Sequence, residues 1–247
     1  MPRFFVSTEN IADGVVTVCG DDAWHIARAL RMAVGEQITV CDDAGNEHEC
    51  TLEKISDTAV IAAVQSVRRA EGEMPFRTVL YQALPKGDKM DLIVQKAVEQ
   101  GTVAIYPFLS ERCISRPDEK SLAKKIVRWQ RIALEAAKQC GRGVVPTVGG
   151  LLTYNQMLEK ASGDALCCFC YEGEDRRSVK AALQAANLAE GDGLSVVVGS
   201  EGGFSEKEAA DAKEAGLVLC GLGKRILRCE SASGFALACI SYEFELS

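Results

Sequence analysis

Histidine is almost absent from this chain, with His25 and His48 the only two in 247 residues. The commonest metal ligand and neutral-pH proton carrier is therefore scarce. Cysteine is abundant, but no two pairs stand at zinc spacing. Cys167-Cys-Phe-Cys170 lies in a strand-like run with neither histidine near it in sequence, so no metal site is expected. No apolar run approaches the roughly 18–20 residues of a membrane span. The opening Met1-Pro-Arg-Phe-Phe-Val turns polar too soon for a secretory leader. Internal repeats and low-complexity segments are missing. So is a G-x-G-x-x-G after the first strand of the α/β portion, which argues against a dinucleotide-dependent oxidoreductase.

What is present suits a cytoplasmic globular protein. Hydrophobic residues make up 47% of the chain, enough for a sizeable core. The eleven cysteines are an odd number and sit mostly inside apolar runs, as reduced core thiols do. Net charge is −7, which disfavours indiscriminate binding to nucleic acid. Between Arg112 and Arg142, however, nine cations face only Asp118, Glu119 and Glu135, a local excess of six positive charges. Such a segment is either a polyanion contact or a solvated helix face.

Residues 1–70 carry short strand signals at Val15–Val18, Gln37–Cys41, Glu49–Leu52 and Ala59–Val64, separated by turns such as Asp42–Asn46. This pattern predicts a small β-barrel. One helix, near Asp21–Met32, interrupts it and carries His25, Arg28 and Arg31. Two arginines one turn apart can grip a phosphate backbone. Arg68–Met74 is polar without apolar period and reads as a linker. From residue 75 onward strands and helices alternate, which implies a largely parallel sheet. Strands are expected at Thr78–Leu84, Val103–Phe108 and Ala165–Tyr171. Helices are expected at Lys89–Gln100, Ser121–Cys140, Thr153–Ala161 and Val179–Ala186.

The chain is organised around Leu194–Glu208. Ser195–Val198 is a buried-strand run, Gly199, Gly202 and Gly203 free the backbone, and Ser205 with Glu208 forms a capping box that starts a helix. A glycine loop at the C-terminal end of a buried strand is a usual ligand position in an α/β sheet, and a bare tight turn is the alternative. After Leu217–Cys220 comes a second loop, Gly221–Gly234, which alternates apolar and charged residues at Arg225-Ile-Leu-Arg228. An apolar helix, Phe235–Phe244, follows. One side of that loop is expected to face a pocket.

Several motifs resemble one family. They are Met1-Pro-Arg-Phe-Phe, His25 with Leu30-Arg31, Gln82–Asp91, Gln95–Gly101, Gln139-Cys-Gly-Arg142 with Pro146, Gly199–Ser205 and Leu222–Ala232. Together they are similar to the bacterial 16S ribosomal RNA uridine-N3 methyltransferases of the SPOUT superfamily. Ser200 stands where that family usually has proline, while Cys140 and Ser231 replace serine and threonine. The resemblance implies a PUA-like β-barrel over residues 1–70 and an α/β domain with a deep trefoil knot over 75–247. It implies S-adenosylmethionine as cofactor, a homodimer with its site near the subunit interface, and 16S rRNA within the small ribosomal subunit as substrate.

On that resemblance, Glu172, Gly173, Gly199, Glu201, Gly202, Gly203, Leu222, Gly223, Ile226 and Leu227 are the expected cofactor residues, with Gly202 leaving the cofactor room. Arg3, His25, Arg28, Arg31, Lys86, Arg112, Arg116 and Arg142 are the expected RNA contacts. Methyl transfer from a sulfonium needs no metal, but uracil N3 must lose its proton and lie in line with the methyl. Arg225 and Arg228 can stabilise charge on the uracil oxygens. Glu230 is a candidate base or a partner that orients an arginine, and a structural ion pair is the plainer alternative. A non-catalytic ribosome-assembly factor is the rival reading, but RNA binding alone does not call for two glycine loops.

Overall fold

The computed structural model describes residues 1–246. The chain divides into two compact units, one of Met1–Glu73 with Ala137–Val145 and one of Met74–Ala136 with Pro146 to the C-terminus. The first unit therefore includes a segment that a linear division at residue 70 misses.

In the first unit the strands are β1 (Arg3–Phe5), β2 (Ile11–Ala12), β3 (Val15–Cys19), β4 (Gln37–Cys41), β5 (Asn46–Ile55) and β6 (Ala59–Arg69). They pair in the order β1-β4-β5-β6-β3-β2, antiparallel except for β1 with β4. Alternate residues turn inward, and Phe4, Val16, Val18, Ile38, Val40, Leu52 and Val60 form the core with Ile26. Register shifts at Glu49/Cys50 and Leu52/Lys54 bend the long β5–β6 ladder.

Two expectations change here. The polar stretch from Arg68 is not all linker, because β6 continues to Arg69 and Arg68 pairs with Glu47 at 3.0 Å. The helix is also shorter than expected. It comprises α1 (Asp21–Trp24) and a π-helical turn at His25–Ala29, closed by the Leu30 N–H donating to the His25 carbonyl at 2.9 Å. Arg31 then takes φ +53°, so Arg28 and Arg31 do not share a helical face. Arg28 spends its fork on Asp57, at 2.8 and 2.6 Å.

Arg142 also departs from its expected role as an RNA contact. Its side chain is 3% exposed and donates to Glu73 from Nε at 2.9 Å and from Nη2 at 2.5 Å. Its carbonyl accepts from Arg3, whose guanidinium is held by Glu47 at 2.6 Å. These two arginines anchor the unit from within. Of the arginines expected at RNA, only Arg31 remains open here.

The second unit contains β7 (Arg77–Ala83), α2 (Lys89–Glu99), β8 (Ala104–Leu109) and α3 (Glu119–Cys140), whose last turn belongs to the first unit. It continues through β9 (Thr147–Val148), β10 (Leu152–Thr153), α4 (Tyr154–Ala161), β11 (Leu166–Cys170), β12 (Arg177–Ser178) and α5 (Val179–Ala185). β13 (Gly193–Val198), α6 (Glu206–Glu214), β14 (Val218–Gly221) and α7 (Cys229–Phe244) complete it. Every strand pair is parallel, in the order β10-β8-β7-β13-β11-β14-β12 with β9 beside β8. The central strands are nearly continuous apolar runs because helices cover both faces.

Helix α7 starts six residues before the expected Phe235. Arg228 is extended at φ −65°, ψ 152°, and its carbonyl accepts the Ser231 and Ala232 N–H groups at 2.9 and 2.8 Å. Gly234 is absorbed into the helix. Glu230 sits in the first turn, where the helix dipole favours an anion.

The β4–β5 turn of the first unit yields a stability test. Asp42 accepts from the Ala44 and Asn46 N–H groups, the Asn46 side chain and His48 Nε2, all at 2.9–3.0 Å. Burial raises its pKa, but His48 and Asn46 outweigh this and hold the carboxyl at about 2. Because the folded value is depressed, the contribution is present above the unfolded value near 4 and is lost as pH falls from about 4 towards 2. A shift of this size corresponds to roughly 2 kcal/mol. Asp42→Ala should therefore destabilise this unit by about that amount at pH 7. Hydrogen exchange at the β4 and β5 amides should show less difference between variant and parent at pH 3 than at pH 7.

Candidate functional site

The loops after β11, β13 and β14 leave the sheet on the side of their strands' C-terminal ends, where α/β sheets bind ligands. There they line a cleft of about 720 Å3, within the range of small-molecule sites.

The glycine loop is pinned at both ends. On entry, the buried Gln82 side chain donates to the Gly199 carbonyl at 3.1 Å. On exit, Phe204 packs at a tilt against Phe169 and parallel to Phe108, with ring centroids at 4.2 and 6.3 Å. Ser205 and Glu208 then form both bonds of the capping box, as the S-x-x-E spacing predicts. The buried Glu208 carboxylate accepts the Ser205 N–H at 2.9 Å and the Glu111 N–H at 2.8 Å, and so also fixes the loop after β8.

Within the loop, the Gly203 N–H donates to the Ser200 carbonyl at 3.0 Å, and Gly203 takes φ +62°. The Ser200 hydroxyl is buried beside the cleft and has no hydrogen-bond partner among the described residues. Gly202 lines the cleft and has a second reason to be glycine. A Cβ there would lie 2.9 Å from Arg112 Cβ and 3.4 Å from the Arg112 carbonyl, so glycine is needed to let the Arg112 segment pass. Arg112 Nη1 in turn donates to the Gly202 carbonyl at 3.0 Å. An expected RNA contact is thus part of the cleft wall.

All ten residues expected at the cofactor line this cleft, among them Glu172, Gly173, Leu222, Gly223, Ile226 and Leu227. Arg225 and Arg228 line it too. Both guanidiniums are solvent-exposed and have no hydrogen bond or ion pair among the described residues. Lys86 and Arg116 are exposed and outside the cleft.

Glu230 is also outside the cleft lining. It lies 3.7 Å from Lys89 Nζ and accepts from Cys229 Sγ at 3.2 Å. Burial opposes its charge, but the helix-start N–H, Cys229, Lys89 and Arg228 prevail and hold the carboxyl below its ordinary value. A carboxylate so stabilised is a weak base. The same lysine grips Glu201 at 2.8 Å, and Glu201 accepts the Lys86 N–H at 3.1 Å. Burial raises the Glu201 pKa, while Lys89 and these N–H groups lower it further. Glu201, expected at the ligand, is thus partly engaged by the start of α2.

Lys89 and Arg176 escaped the sequence reading. Arg176 donates to the Glu172 and Gly173 carbonyls and fills the space in front of Gly221. Lys89 lies within the Gln82–Asp91 motif, but nothing in its spacing reveals that it reaches two carboxylates, one 112 and one 141 residues away. The cleft can hold a polar ligand with an apolar part. It offers glycine backbone and one unpartnered hydroxyl on one wall, and Leu222, Ile226 and Leu227 with two open guanidiniums on another. No group of three or more metal-binding side chains occurs among the described residues.

The sequence matches the family described as RNA methyltransferase domain over residues 72–241, and RNA methyltransferase PUA domain over residues 18–65. Ribosomal RNA small subunit methyltransferase E of Bacillus subtilis is 36% identical over a 251-residue alignment covering all of this chain and 98% of that protein. A ribosomal RNA small subunit methyltransferase E from Neisseria gonorrhoeae, solved bound to S-adenosylmethionine, is 33% identical. It superposes with a TM-score of 0.83 over 99% of this chain and 98% of that one. A methyltransferase from Legionella pneumophila, in complex with the same cofactor, gives 26% identity and a TM-score of 0.83 over 98% and 97%.

The shared lysine makes a direct prediction. In Lys89→Met, burial acts on Glu201 and Glu230 without the cation that offsets it. Both carboxyls should titrate at higher pH than in the parent, read from side-chain carboxyl carbon shifts. Unchanged titration curves would show that Lys89 does not control the pair.

Proposed function

The chain belongs to the ribosomal RNA small subunit methyltransferase E family, and we propose that it methylates N3 of a specific uridine in the decoding region of 16S ribosomal RNA, using S-adenosylmethionine. The observation that carries this reading is the three-loop cleft, in which glycine backbone, an unpartnered hydroxyl and two open guanidiniums meet. The residues present fit the cofactor. The Ser200 Oγ can bond to one of its polar groups, the 199–203 backbone permits close approach, and Leu222, Ile226 and Leu227 offer an apolar surface to adenine. Ser200 in place of proline adds a hydroxyl and removes no group that this fit requires.

When bound, the cofactor supplies an electrophilic methyl group. The chain's own contribution is alignment and electrostatics. Arg225 and Arg228 stay protonated at any working pH, and their forks match carbonyl oxygens. Aimed at the uracil oxygens, they favour the N3 anion over the neutral base, which lowers the barrier rather than merely tightening binding. Glu230 lies outside the cleft lining and orients this region through Lys89, with its carboxyl held as an anion.

A homodimer completes the reading. Helix α7 is apolar on nearly all sides, as buried helices are, yet Phe235 is 43% and Tyr242 71% exposed in the single chain. Leu92 on α2, which packs against α7, is 46% exposed. A second copy would cover these surfaces. The trefoil knot belongs to the same proposal. Its support is the family, the insertion of β13 between β7 and β11, and the packing of the final helix back onto α2 and β13. A cytoplasmic location follows from the proposed substrate.

Calorimetry with S-adenosylmethionine and methyl transfer to unmodified small subunits test this together. Arg228→Ala should bind the cofactor normally and remain dimeric, but turn over about 10²- to 10³-fold more slowly, the usual effect of losing one such donor. Arg228→Lys should recover part of the rate, since it keeps the charge and loses the fork. Loss of cofactor affinity or dimerisation along with activity would assign Arg228 to loop structure instead.

A further inference from the structure

The excess of positive charge between Arg112 and Arg142 is only partly accounted for by the cleft and by the internal pair of Arg142. What remains lies on α3. Trp129, Ala133 and Ala136 are the buried side chains of this helix within the second unit. At about 100° per residue, Lys120, Lys124, Val127, Arg128 and Arg131 fall within an arc of roughly 100° on the opposite side. All five are exposed, Val127 at 71%. From Glu119 to Arg128 the helix buries no side chain.

Glu135, one turn after Arg131, is the acidic residue on this side, and it leaves the Lys120–Arg131 stretch with an excess of positive charge. Arg128 pairs with Asp91, but Lys120, Lys124 and Arg131 have no ion pair or side-chain hydrogen bond among the described residues. Like charges one turn apart disfavour a helix, so this face carries a repulsion that a bound anion would relieve. A helix stabilised only by solvation commonly alternates signs at i, i+4. Here Lys120, Lys124 and Arg128 follow one another at that spacing, in a protein whose net charge is −7.

We propose that the Lys120–Lys124–Arg131 face of α3 is a docking surface for the phosphate backbone of the RNA substrate, separate from the methyl-transfer cleft. The proposal rests on the RNA methyltransferase reading above. From Lys120 to Arg131 the face spans roughly 16 Å along the helix axis, long enough for several consecutive phosphates. Lysines and an arginine without a shaped pocket between them suit backbone contacts, which position an RNA and do not read its sequence. A face of this kind sets affinity and orientation and leaves the choice of base to the cleft.

The test is the triple variant Lys120→Ala/Lys124→Ala/Arg131→Ala, compared with the parent for binding to naked 16S rRNA and to unmodified small subunits at several salt concentrations. Alanine is a good helix former, and circular dichroism with cofactor calorimetry checks that fold and cleft persist. Loss of three phosphate contacts should flatten the log–log salt dependence by about two units and weaken binding to RNA, with cofactor affinity unchanged. An unchanged slope in a variant that still binds cofactor overturns the docking surface and leaves the methyltransferase reading intact. Loss of binding to small subunits alone, with the slope on naked RNA intact, assigns the face to a ribosomal protein and overturns the proposal. A parent that neither binds the cofactor nor methylates overturns the functional reading, and the surface with it.

Discussion

A single buried carboxylate holds the cleft in place. Glu208 accepts one N–H from its own helix cap and one from the loop after β8. It thereby ties α6, the glycine loop and the Arg112 segment into one wall. Phe204, wedged against Phe108 and Phe169, fixes the same wall from the core side. Replacing Glu208 by an apolar residue would leave two part-buried N–H groups without their shared acceptor, and the helix start and the loop after β8 would lose their common anchor. This anchoring holds the left-handed turn at Gly203 in place.

The facing wall is held by charge. Lys89 at the start of α2 reaches Glu201 on the glycine loop and Glu230 on the first turn of α7. It is partly exposed, so the strength of these pairs depends on solvent screening as well as on distance. Their value is geometric. They set the spacing between the loop after β13 and the helix that follows the arginine-bearing loop. Arg225 and Arg228 are left open at the cleft, which suits the role proposed for them on a substrate.

Local signals in the sequence were legible. The Ser205/Glu208 capping box appears with both of its bonds, and the strand–helix alternation appears as a parallel sheet. What could not be read depends on long-range contacts or on unusual backbone. Arg142 looked like a surface cation until Glu73, 69 residues earlier, was found to enclose it. Arg28 and Arg31 looked like neighbours on a helix, but a π-helical turn and a left-handed Arg31 separate them. Gly202 lines the cleft as expected, but nothing in its spacing reveals that a side chain there would also collide with Arg112. The early start of α7 was hidden by Gly234, which reads as a loop residue and is tolerated within the helix.

The central claim is that this cleft directs a methyl group to N3 of one uridine. Unmodified small subunits should be incubated with the protein and methyl-labelled S-adenosylmethionine, and their 16S rRNA then digested and its nucleosides identified by mass spectrometry. The account predicts label in 3-methyluridine alone, at one position in the decoding region, and its disappearance when the cofactor is omitted. Label on another atom or base, or no transfer by a protein that binds the cofactor, would contradict it.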